Sequence, residues 1–91
     1  MDKELQKIKE VLSQDYSEEM VASLTEYIGS HPDSEEAHFL LGNAYRKNEQ
    51  WGDALNAYQR AIEINPDSPA QLAYKSIIEV LDFYNKDMFN Q

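Results

Sequence analysis

The chain has 91 residues, 42% of them hydrophobic, with one Trp, six Tyr, three Phe, three Gly and three Pro; this composition suits one small packed domain and excludes a disordered tail or a multi-lobed enzyme. Seventeen acidic residues against eight basic ones leave a net charge of −9, which opposes phosphate attraction and removes nucleic acid from the expected partners. Cysteine is absent, so disulfides, thiolate metal sites and cysteine nucleophiles are excluded together, and a reducing cytoplasm is the expected setting.

The amino end, Met1-Asp2-Lys3-Glu4-Leu5, is charged from the start and lacks the apolar stretch of an export signal. The longest compact apolar cluster is Phe39-Leu40-Leu41, far short of the ~18–20 residues a membrane helix needs. A soluble chain with no membrane partner is expected. Leu5, Ile8, Val11 and Leu12 then form one helical stripe and Met20, Val21, Leu24, Tyr27 and Ile28 a second, connected through Ser13-Gln14-Asp15-Tyr16-Ser17. A second hairpin follows: Ala37, Leu40, Leu41, Ala44 and Tyr45 share one face and Ala54, Leu55, Tyr58, Ala61 and Ile62 another, with a turn near Asn48-Glu49-Gln50. A fifth helix is predicted from about Ala70 to Tyr84. The architecture expected is all-α: tandem antiparallel helix hairpins, about five helices in one domain.

The punctuation repeats at an offset of 34, which aligns His31-Pro32-Asp33-Ser34 with Asn65-Pro66-Asp67-Ser68 and Ile28 with Ile62. In each copy a helix stops before Pro, and Asp-Ser supplies capping oxygens for the next, with Pro69 at a first helical position. The units are residues 1–34, a degenerate copy, 35–68, a full one, and 69–91, a terminal capping helix and tail.

Residues 35–68 read His38-x2-Leu41-Gly42-x2-Tyr45, then Ala54-x3-Tyr58, then Pro66. This resembles the tetratricopeptide repeat, whose pattern is Trp-x2-Leu-Gly-x2-Tyr, Ala-x3-Phe and Pro. The departures are His38 for Trp, Tyr58 for Phe, and Glu49 where the turn often carries Gly; Trp51 matches the aromatic common just after that turn. Small Gly42 and Ala54 would let the helices approach closely while Leu41, Tyr45, Tyr58 and Ala61 fill the space around them.

The resemblance implies a non-catalytic scaffold that binds a protein or peptide on the concave side of the first helices. On a helical wheel Phe39, Asn43, Arg46, Lys47 and Glu36 fall outside the packing arc. Phe39, Asn43, Arg46 and Lys47 are the candidate groove, with Phe39 either a peptide anchor or a contact to the neighbouring repeat. Some family members hold chaperone tails with a Lys/Asn/Arg carboxylate clamp; the corresponding positions hold Leu5, Lys9, Leu40, Ala70 and Tyr74, of which only Lys9 is compatible, so that mode is not expected.

The last helix is unusual. Gln71, Lys75, Glu79, Asp82 and Lys86 form one narrow polar line, and Leu72 and Phe83 fall outside even the broad apolar arc. A terminal repeat ordinarily presents a polar outer face. The helix is either a wide core helix wedged between the second hairpin and the tail, or a face covered by the tail, residues 86–91, folding back, by a second copy or by a different protein. The rival function is a structural homo-oligomer, a homodimer in its simplest form, assembled through Ile77, Val80, Phe83 and Tyr84. Residues 1–36 carry ten acids and three Lys against seven acids and five bases in 37–91, a bias that suits either steering of a basic partner or, more commonly, a solvated face.

Chemistry has little to work with. His31, Asp33, Glu35, Glu36 and His38 are the one metal-capable cluster, and each has a capping or packing role, so no metal is expected. Three scattered Gly form no phosphate loop and no Ser sits in a nucleophile elbow. No catalytic residue and no cofactor are expected.

Overall fold

The computed structural model describes residues 3–5 and 18–89, with side chains through Phe83. Among the described residues every regular element is helical, as the apolar spacing predicts: residues 3–5, then α1 (Glu18–Ser30), α2 (Glu35–Lys47), α3 (Trp51–Ile64) and α4 (Ala70–Phe89). None of these helices is long and apolar enough to cross a membrane. Ile8, Val11, Leu12 and the connection 13–17 lie outside the described residues, as do Asn90 and Gln91.

The two Pro-Asp-Ser segments make the same turn. The Ser34 amide donates to the His31 carbonyl at 3.1 Å, and the Ser68 amide to the Asn65 carbonyl at 2.9 Å. Ser34 Oγ accepts from the Ala37 amide at 3.2 Å, and Ser68 Oγ from the Ala70 amide at 3.1 Å. Each cap satisfies an amide that the first helical turn leaves without a partner, which contributes about 1 kcal/mol. Ser68 also donates to Glu35 Oε2 at 2.7 Å, tying the start of α4 to the start of α2.

Between α2 and α3, Glu49 adopts φ 59°, the left-handed conformation a tight reversal needs. The Gln50 amide then donates to the Tyr45 carbonyl at 2.9 Å, and α3 begins. Among the described residues the turn brings α2 and α3 into the most extensive helix pair, with α1 against α2 and α4 against α3. Gly42 is where α2 and α3 meet most closely: a Cβ there would lie 2.5 Å from Cδ1 of the fully buried Tyr58 ring.

Two apolar clusters result among the described residues. Leu5, Leu24, Tyr27, Ala37, Leu40 and Ala44 form the first. Ala54, Tyr58, Ala61, Ala70 and Ile77 form the second. Phe39 packs against both. The last helix differs from expectation in length: it runs to Phe89 instead of ending near Tyr84, because no Gly or Pro follows Pro69 to stop it.

Candidate functional site

Phe39, Asn43 and Arg46 recur at helical spacing along α2 and lie beside α3 and α4. Phe39 is partly buried, its ring 5.9 Å from that of Tyr58 at an interplanar angle of 41°. One turn on, Asn43 Oδ1 accepts from the Tyr58 hydroxyl at 2.5 Å. Arg46 is exposed and reaches across to α4, its Nη2 donating to Ser76 Oγ at 3.4 Å. Lys47 is exposed beside it. An apolar ring, an amide and two cations thus follow one another along α2, and the first two are held by α3.

Burial pushes the Tyr58 hydroxyl above its ordinary value of 10.0, and the neighbouring Arg46 guanidinium draws it back by less. At neutral pH the phenol is therefore a proton donor, and Asn43 is its acceptor. Tyr58 and Ser76 are the residues that wheel reasoning missed. A signal for Tyr58 existed: a hydroxyl added where the repeat usually has Phe must find an acceptor when the ring is buried. Ser76 had none, since its meeting with Arg46 depends on how successive repeats stack.

On the other side of α2, an open depression of about 270 Å³ is lined by Thr25, Ile28, His38, Leu41, Tyr45 and Ala57, among others. It is smaller than the ~300–1,000 Å³ of typical small-molecule sites. Three of the metal-capable residues make contacts of their own. His31 stacks on Tyr27 with centroids 4.2 Å apart, and its Nδ1 donates to the Tyr27 carbonyl at 3.2 Å. His38 Nε2 donates to the Pro32 carbonyl at 3.0 Å, and Glu35 holds Ser68.

The apolar face assigned to α4 needs a correction. Ile77 is 1% exposed and belongs to the second core cluster, against Ala54, Tyr58 and Ala61, so it offers nothing to a partner. Val80 and Phe83 are exposed, joined by Leu72 and Ile78. The Tyr84 side chain lies outside the described residues.

Comparison with known proteins adds three findings. The tetratricopeptide repeat family model matches residues 35–68. The cytochrome c-type biogenesis protein CycH of Pseudomonas aeruginosa is 36% identical over 55 residues, covering 60% of this chain; the match spans 14% of that protein's length. The solution NMR structure of Bacteroides fragilis protein BF1650 is similar over 100% of this chain and 92% of its own, with 50% identity and a TM-score of 0.84. With the repeat pattern, the paired helices and the Gly42–Tyr58 contact all in register, residues 35–68 form a tetratricopeptide repeat, and the fold of the chain around it is tetratricopeptide-like.

Proposed function

We propose that this chain is a non-catalytic binding module that holds a peptide segment of a partner protein along α2, across Phe39, Asn43, Arg46 and Lys47. The family supports a protein partner in general terms. The observation that carries the finer reading is the pairing of exposed Arg46 and Lys47 in the last turn of α2 with the half-buried Phe39 ring, on a molecule whose net charge is −9. A local cationic spot on an acidic surface selects a carboxylate-bearing segment and repels contacts elsewhere. The apolar edge of Phe39 then supplies contact area one to two turns away. The lack of cysteine supports a cytoplasmic setting.

The test uses the chain as bait for affinity purification, with mass spectrometry to identify what binds. Replacing Arg46 and Lys47 together by Glu should lower recovery of that partner by roughly tenfold or more, with the circular dichroism spectrum unchanged. Full recovery by the double variant would remove the α2 surface from consideration. Phe39→Ala is a poorer probe, because the ring also packs on Tyr58.

A further inference from the structure

Among the described residues the large apolar side chains that remain exposed are Leu72 at 76%, Phe83 at 67%, Ile78 at 42% and Val80 at 39%, and all four lie on α4. At about 100° per residue, Leu72, Ser76, Glu79 and Phe83 form one line along the helix, on the side opposite buried Ala70 and Ile77. One repeat earlier, the same register on α2 holds His38, Gly42 and Tyr45, and Gly42 there lies under the Tyr58 ring of α3. The line on α4 is thus the side on which a first helix of a repeat receives a second helix. Among the described residues the extensive helix contact α4 makes is with α3, through the opposite side.

This line is complementary to itself. Its spacings, 4, 3 and 4, read the same in both directions, and its chemistry is symmetric too: apolar at each end, a hydrogen-bonding pair in the middle. We propose that α4 packs antiparallel against α4 of a second copy, about a twofold axis passing between Ile77 and Ile78. Leu72 then meets Phe83 of the second copy, and Ser76 meets Glu79 of the second copy, each pair made twice, as a two-fold interface requires. Charge fits this arrangement. Arg46 donates to Ser76 Oγ, which leaves the Ser76 proton to donate outward and sets a guanidinium beside the incoming Glu79 carboxylate. The dimer and the peptide site share Arg46, so Phe83→Asp tells them apart: it should weaken the dimer and leave recovery of a peptide partner unchanged.

A single pair of helices about 30 Å long is at the low end of specific interfaces, so association in the range of about 1–100 μM is expected. Sedimentation equilibrium from about 5 μM to 1 mM should show a mass rising from one copy to two. Phe83→Asp should weaken the association by roughly 30-fold or more with unchanged circular dichroism. Glu79→Arg should weaken it as well, and adding Arg46→Glu should restore it. The native chain has no cysteine, so Leu72→Cys with Phe83→Cys should oxidise to a covalent dimer, whereas Ile78→Cys, off the line, should not. A chain that stays monomeric at about 1 mM, including one that instead captures a different protein there, overturns the proposal. So does a dimer indifferent to Phe83→Asp, or one that Ile78→Cys crosslinks as fast as the designed pair.

Discussion

A hydroxyl on a buried aromatic ring must find an acceptor, an obligation that phenylalanine lacks, and at Tyr58 that obligation joins two helices. The ring closes over Gly42 while the hydroxyl donates to Asn43, so one side chain fills the α2–α3 contact and fixes the α2 amide beside Arg46. Tyr58→Phe keeps the ring and should cost about 1 kcal/mol, the net worth of the lost hydrogen bond. The same variant reads out the phenol's titration. Because burial raises the folded-state value above 10.0, the contribution is intact at neutral pH. It is lost as pH climbs past 10 and the unfolded chain ionises first. Denaturant titrations between about pH 8 and 11 should therefore show a shallower loss of stability in Tyr58→Phe than in the native chain. Equal slopes would mean that the phenol is not held protonated. The contact itself was legible in the sequence, since glycine at 42 and an aromatic at 58 face each other once the turn is placed. The Asn43 acceptor was not, because a wheel assigns a side chain to a face and says nothing of what sits one helix away.

Helix boundaries were legible wherever backbone chemistry forces a stop. Pro32 and Pro66 follow the ends of α1 and α3, and Ser34 and Ser68 cap the helices that come next. No comparable signal follows Pro69, so the sequence does not mark where α4 ends. Glu49 is the boundary where the residue and its conformation disagree. With φ 59° it holds a left-handed backbone that costs an L residue about 1–2 kcal/mol. Its position is the one at which the repeat often carries glycine. Glu49→Gly should remove that strain while giving the unfolded chain more freedom, for a net gain of about 0.5–1 kcal/mol. For a domain of this size the melting temperature should rise by roughly 2–8 °C. A fall on that substitution would show that the Glu49 side chain contributes more than its backbone strain removes.

Across the whole molecule, stability depends on how two small cores are joined, because each repeat buries its face only against its neighbours. The first cluster draws on residues 3–5, α1 and α2, the second on α3 and α4, and Phe39 packs on both. The position of Ile77 follows from the same stacking. Nothing in a broadly apolar helix says which edge its neighbour will take, and α3 takes the edge with Ala70 and Ile77, leaving Leu72 and Phe83 on the other. For Phe39 the sequence left two roles open, peptide anchor or neighbour contact, and its ring now lies against Tyr58 at the junction. Phe39→Ala should then cost about 1–3 kcal/mol, less than a fully buried phenylalanine because the ring is only partly enclosed. Because Tyr58 still closes over Gly42 and donates to Asn43, the two clusters should go on unfolding together, with the van't Hoff and calorimetric enthalpies of melting equal and only the midpoint lowered. A variant whose van't Hoff enthalpy drops below the calorimetric one would show that Phe39 is what couples the two clusters.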